Sequence, residues 1–249
     1  MRSLARRAAL SLAGRVGARL GELRFVEREA TRVKLMRELG VELVADVGAN
    51  EGQFAATVRS GWGGPIVSFE PVAATHERLA RAAAADDRWA TLPYALGRAS
   101  GTADIHVAAN TVFSSLLEAS DYCVSSHGAS SRGERVETIE VRRLDEVLPG
   151  LEGVWRPGRR TYLKMDTQGF DLEVFDGAAG VLDDVVLLQS EVSLRALYDG
   201  ATGWHDALAR YEAAGFHIAG MFPVVYDGPL VVEYDCLMCR RPDAGRAGR

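Results

Sequence analysis

Cysteine is scarce in this chain. The three residues Cys123, Cys236 and Cys239 are too few, and odd in number, for a disulfide framework, which points to a reducing cytoplasm as the working compartment. Cys236-Leu-Met-Cys239 spells CxxC, but within an apolar run that reads as a strand, where positions three apart face opposite ways. Core packing is preferred over a redox or zinc role, and no second cysteine pair completes a zinc site. Long apolar runs are also missing: nothing approaches the roughly 20 residues of a transmembrane helix, so no transmembrane segment is expected. Charge extremes are absent too, with 47% apolar and 25% charged residues, a balance that fits a globular domain and not a disordered chain.

The overall charge of −5 conceals an asymmetry. Residues 1–37 hold ten Arg and Lys against three Glu, or +7, which leaves −12 for the remainder. An acidic main body without a basic groove disfavours nucleic acid as a partner. The basic start superficially suits a transit peptide or a membrane-surface helix. Leu4, Ala8, Leu12, Val16 and Leu20 nevertheless recur at near-helical spacing, so packing helices are the preferred reading, with a homodimer through them as their candidate use. Arg15 and Arg19 interrupt the apolar core that a secretory signal needs. Residues 1–40 are thus expected to form a basic helical extension and residues 41–249 a single domain with one core.

From Glu42 onward, short apolar runs alternate with helical patterns. The runs are Leu43–Val47, Ile66–Phe69, Thr91–Leu96, Tyr162–Met165, Val185–Leu188, Phe216–Met221 and Val231–Cys239, with helices expected at Gln53–Arg59, Ala73–Ala85, Phe170–Ala178 and Trp204–Ala214. This is the pattern of βαβ units in an α/β fold: a Rossmann-like, mostly parallel seven-stranded sheet with helices on both faces. One stretch breaks the rhythm. Between His106 and Val136 the sequence is rich in Ser, Gly and Ala without a sustained period, and residues 108–133 are read as a mobile lid beside the active site.

The strongest chemical signal is Asp46-Val-Gly-Ala-Asn-Glu-Gly-Gln-Phe54, directly after an apolar strand and opening a helix. Gly48 and Gly52 let the backbone turn sharply and approach a ligand, while the helix N-terminus presents free N–H groups. The spacing is not G-x-G-x-x-G, and Asp46 would repel a diphosphate, which argues against a nicotinamide-dependent dehydrogenase; an acid there suits an ammonium group. About 20 residues after the glycine turn, Ser68-Phe69-Glu70-Pro71 ends the second strand, and Glu70 can accept the two hydroxyls of a ribose.

With Tyr94-Ala-Leu-Gly97, Ser114-Ser-Leu-Leu117, Arg142-Arg-Leu-Asp-Glu-Val147, Leu163-Lys-Met-Asp-Thr-Gln-Gly-Phe-Asp-Leu-Glu-Val-Phe-Asp-Gly-Ala178 and Ser190-Glu-Val192 added, the chain resembles the FkbM family of methyltransferases. The resemblance spans about Val41 to Arg240 and rests on the order and spacing of these strings together. It implies a class I, S-adenosylmethionine (SAM)-dependent O-methyltransferase acting on a sugar or oligosaccharide, or on a polyketide or other natural-product hydroxyl. By resemblance Asp46, Gly48, Asn50, Gly52, Glu70 and Ser115 belong to the cofactor site, with Tyr94, Ala95 and Leu96 near the adenine. A catalytically dead binding module is disfavoured by the intact acids at Asp46, Glu70 and Asp166.

Methyl transfer to a hydroxyl needs alignment, exclusion of water and a base or metal ion. Asp166 ends the fourth strand and Glu191 the fifth, on the edge where open α/β sheets bind ligands. They are expected to act on the acceptor together, through Mg²⁺ held by both carboxylates, with metal-free catalysis by Asp166 or His127 as the alternative. Lys164, two residues before Asp166, shares its strand face, and pairing with a neighbouring acid is at least as good a role for it as catalysis. Tyr198, Trp204 and Tyr226 can stack on a sugar ring, but packing is the preferred reading of each.

Overall fold

The structure is a computed structural model that describes residues 24–240. The periodic leucines and alanines before residue 24, and any dimer face they form, lie outside the described residues. Helix α1 runs to residue 38. It is followed by β1 (Leu43–Val47), α2 (Gln53–Arg59), β2 (Ile66–Phe69), α3 (Ala73–Ala83), β3 (Trp89–Leu92), β4 (Ala95–Leu96) and β5 (Gly101–Ala108). Then come α4 (Asp121–His127), β6 (Gly133–Arg142), α5 (Leu144–Val147), β7 (Thr161–Met165), α6 (Asp171–Asp176), β8 (Val185–Ser193), α7 (Trp204–Ala213), β9 (Phe216–Asp227) and β10 (Leu230–Arg240).

The main sheet has seven strands in the order β3-β2-β1-β7-β8-β10-β9. All neighbours are parallel up to β8, and β10 then runs antiparallel between β8 and β9. Alternation along β1 shows why both faces are covered. Leu43, Ala45 and Val47 enter a core with Val174 and Phe175 of α6 and Tyr211 of α7, whereas Val44 points into a second core with Met36 of α1, Val58 of α2 and Leu79 of α3. Each fully buried Val or Leu contributes about 1.5–3 kcal/mol, so a strand apolar on both sides belongs in the middle of such a sheet. The fold is the expected α/β arrangement, a mostly parallel seven-stranded sheet with helices on both faces. Cys236 and Cys239 project to opposite cores and are both unpaired.

Two boundaries differ from the sequence reading. Arg32, Met36 and Leu39 are buried against the sheet, so the later turns of α1 pack into the domain while its first described turn is exposed. The aperiodic stretch is also more structured than its composition implied. β5 and β6 pair antiparallel around it and, with β4, form a second three-stranded sheet. Between them α4 is capped by Ser120, whose Oγ accepts the Cys123 N–H at 3.1 Å. Cys123 is buried against Leu197, Tyr198 and Val232.

Candidate active site

The carboxyl ends of β1, β2, β7 and β8 surround one cavity of about 440 Å³, within the size range of small-molecule and cofactor sites. Its floor is built by a relay of polar side chains across the sheet. Asp46, Ser68 and Lys164 occupy facing positions on adjacent strands. Trp89 Nε1 donates to Ser68 Oγ at 2.9 Å, Ser68 Oγ donates to Asp46 Oδ2 at 3.0 Å, and Lys164 Nζ meets Asp46 Oδ1 at 3.1 Å. The same ammonium donates to the Gly48 carbonyl at 3.0 Å and lies 3.4 Å from Asp166 Oδ2. Burial alone would lower the Lys164 pKa, but Asp46 and Asp166 outweigh it and the net shift is upward.

Lys164 thereby holds the glycine turn against the catalytic edge. Gly48 has φ +71°, and a Cβ there would fall 1.9 Å from the Asp166 carbonyl oxygen, so no side chain fits. Asn50, also in the left-handed region at φ 47°, gives its N–H to Glu70 Oε2 at 3.0 Å, while Val72 N–H binds Glu70 Oε1 at 2.9 Å. Glu70 joins the two loops and keeps further lone pairs for a ligand. Burial pushes its carboxyl up to about 7, against the pull of those two amides.

The opposite end of the cavity is a cluster of acids organised by Gln168. Its Nε2 donates to Asp166 Oδ1 at 3.0 Å and to Glu191 Oε2 at 2.7 Å, and its Oε1 accepts from Tyr198 OH at 2.7 Å. Ser115 Oγ donates to the Gln168 carbonyl at 2.7 Å. Beneath them, buried Asp171 accepts from Thr167 N–H at 2.9 Å and from Glu191 N–H at 3.0 Å, fixing the β7 and β8 ends to each other. Burial and then the charges of Asp166 and Glu233 raise the Glu191 carboxyl well above the usual range, and burial pushes its hydrogen-bonded neighbour Glu233 to about 7. The Asp166 side chain is 38% exposed and faces the cavity.

Gly48, Asn50, Glu70, Ala95, Leu96, Ser115, His127, Asp166 and Glu191 all line this cavity. Three expected cofactor residues do not. Asp46 is fully buried beneath the cavity, with its carboxylate against Lys164 and Ser68. Gly52 packs under the turn, where a Cβ would lie 2.8 Å from Trp89. Tyr94 turns into the core between Phe69 and the Arg142 guanidinium, leaving Ala95 and Leu96 on the wall. His127, in the last turn of α4, packs at a tilt against Phe113, ring centres 5.1 Å apart, with Nδ1 3.3 Å from the Cys123 carbonyl. Gln168 and Glu233 are lining residues that the sequence reading missed. Of the aromatic trio, Tyr198 is the buried partner of Gln168, Trp204 stacks on His205 at 3.5 Å, and Tyr226 meets Arg24 at the surface.

Magnesium does not fit between Asp166 and Glu191. Their facing oxygens converge on one amide nitrogen, and the other Asp166 oxygen meets an ammonium, so a dication would have to displace both donors. Among the described residues, no group of three or more His, Cys, Asp or Glu side chains is placed to hold a metal ion. Nor is any described helix long and apolar enough to cross a membrane.

The chain is similar in structure to an rRNA methylase from Streptococcus thermophilus, with TM-score 0.44 and 10% identity over 84% of this chain and 93% of that one. It is also similar to magnesium protoporphyrin IX methyltransferase from Synechocystis PCC 6803 with bound SAM, with TM-score 0.46 and 9% identity over 88% and 80% of the two chains. No curated protein matches by sequence. The methyltransferase FkbM domain matches residues 46–218, from the buried aspartate of β1 through the carboxylate cluster to β9, and the chain therefore belongs to the FkbM family of SAM-dependent methyltransferases.

Proposed function

We propose that this protein transfers the methyl group of SAM to a hydroxyl of a sugar or oligosaccharide in the cytoplasm. The observation that carries the reading is that one cavity joins the Gly48–Glu70 end to the Asp166–Glu191–Glu233 end, so that donor and acceptor sites are contiguous. SAM, which supplies the methyl group on a sulfonium, fits the first end. Gly48 permits close backbone approach, Glu70 accepts the ribose hydroxyls, and Ala95 and Leu96 offer an apolar wall to the base.

At the second end a hydroxyl must lose its proton as the carbon–oxygen bond forms. Asp166 is the base: it is open to the cavity, and Lys164 and Gln168 fix both of its oxygens. Burial raises the Glu191 carboxyl and pushes that of Glu233 up to about 7, so Glu233 is partly protonated near neutrality and the pair offers hydrogen-bond partners to neighbouring hydroxyls. Clustered carboxyls and an amide suit a polyhydroxylated acceptor and disfavour an anionic one.

The test is to incubate the protein with methyl-labelled SAM and a panel of sugars, lipids and phenols, with and without EDTA, and to identify the product. Label in a saccharide methyl ether, formed at an equal rate in EDTA, is expected. Label confined to phenols would overturn the acceptor class. Loss of turnover in EDTA with recovery on adding Mg²⁺ would overturn the metal-free base.

A further inference from the structure

A second hollow of about 280 Å³ lies beside the active cavity, against α1 and the β10 strand, and the two share Gln53, Phe54, Lys164, Asp166 and Glu191. Phe54 stands in both walls, with the Arg32 guanidinium 4.9 Å and the Lys164 ammonium 5.3 Å from its ring centre. The outer wall comes from Phe25, Arg28, Glu29 and Arg32 of α1 and from Asp235 of β10. These residues lie outside the 46–218 stretch that matches the family domain. The outer wall of the hollow is thus supplied by segments flanking that stretch, and its inner wall by residues within it.

Its chemistry narrows the ligand. Arg28 pairs with Asp235 and lies 3.3 Å from Glu29, Arg32 pairs with Glu29, and Lys164 is held by Asp46 and Asp166. Each cation already faces a carboxylate, so a phosphate or carboxylate ligand gains no unneutralised partner here. What remains is the Phe25 ring, 48% exposed among the described residues with the Arg28 guanidinium 5.2 Å from its centre, the Phe54 ring and the Gln53 amide, while the Gln189 oxygen is taken by Arg32 and Tyr162 and the Thr57 hydroxyl donates to the Gln53 carbonyl. Aromatic faces beside a planar amide suit a neutral ring that is apolar on its C–H face and hydroxylated at its edge.

We infer that this hollow is the subsite for the neutral glycosyl unit next to the ring that is methylated, so that the acceptor is an oligosaccharide or glycoside passing Phe54. The inference rests on the saccharide reading of the active cavity. Asp166 and Glu191 border both spaces, which places the reacting hydroxyl at their junction and the neighbouring ring on the α1 side.

The test uses the full chain with methyl-labelled SAM. The acceptors are methyl glycosides of glucose, mannose, galactose and rhamnose, and the disaccharides and tetrasaccharides built from each. The preferred sugar should show kcat/KM about tenfold or more higher as an oligosaccharide than as the methyl glycoside. Phe25→Ala removes the outer ring and Thr57→Trp fills the hollow, and neither residue belongs to the catalytic machinery. Each should cut the oligosaccharide kcat/KM by about tenfold, with methyl glycoside turnover, SAM affinity and melting temperature unchanged. Equal kcat/KM for one ring and four in the unmodified protein, or an intact length preference in Thr57→Trp, overturns the subsite and leaves the saccharide reading standing. Label entering phenols and no saccharide of any length overturns both.

Discussion

Asp166→Asn is expected to lower kcat by about 10²–10⁴-fold, the usual worth of a positioned general base, while SAM binds as before. The substitution keeps the volume and one acceptor oxygen for Gln168 Nε2 but removes the carboxylate that takes the hydroxyl proton. Gln168→Leu separates the base from its positioning. It leaves the carboxylate in place and removes the amide that bridges Asp166 and Glu191, so a smaller loss in kcat is expected, with an altered pH profile as the two acids lose their shared donor. Single-turnover measurement with labelled SAM checks both. A kcat within threefold of the unmodified enzyme in Asp166→Asn would move the base elsewhere, His127 being the next lining residue able to take a proton.

The second large effect is on stability. Lys164 and Asp46 are 3% and 0% exposed, and removing one partner of a buried pair leaves a charge without compensation. Lys164→Met is expected to cost about 3–5 kcal/mol, a fall in melting temperature on the order of 10 °C for a chain of this size. Adding Asp46→Asn should recover much of that loss, because the uncompensated charge is then gone. Calorimetric melting of the two single variants and the double variant decides the matter. A loss below about 1 kcal/mol in Lys164→Met, or a double variant no more stable than the single, would mean that the ammonium is not what holds Asp46.

What could be read from the sequence was whatever a local pattern dictates. β1, the glycine turn and α2 were legible because a strand buried on both faces must be a continuous apolar run and because a turn with positive φ asks for glycine. β5 and β6 were not. Their outward faces are polar, and the long serine-rich segment between them gives no local sign that the two strands pair antiparallel. Asp166, Glu191 and Glu70 were legible as cavity-lining residues because they end strands on the ligand edge. Gln168 was missed because nothing local marks an amide whose work is to join two carboxylates from different strands. Glu233 and Asp235 did leave a signal: two acids inside the apolar run of β10, where burial demands partners. Asp46 was legible as the end of β1 but its burial was not, because only the facing position of Lys164 shows the ammonium that its carboxylate meets. The buried role of α1 was likewise hidden, because Arg32 reads as a solvent-facing charge until Glu29, Tyr162 and Gln189 surround it.

In the proposed reaction the Glu70 end of the cavity holds the cofactor and the Asp166 end the acceptor. Titration of the demethylated product, S-adenosylhomocysteine, at pH 6 and pH 8 tests it most directly. In the free protein the Glu70 carboxyl is raised to about 7, so it is mostly protonated at pH 6 and mostly ionised at pH 8. Since ribose hydroxyls donate best to the ionised form, affinity should rise roughly tenfold between these pH values. Glu70→Gln should abolish that slope, Glu70→Ala should weaken binding by about 1.5–3 kcal/mol, and Asp166→Asn should leave both affinity and slope within twofold of the unmodified protein. Unchanged affinity in Glu70→Ala, or a loss in Asp166→Asn equal to that in Glu70→Ala, would contradict the assignment of the two ends.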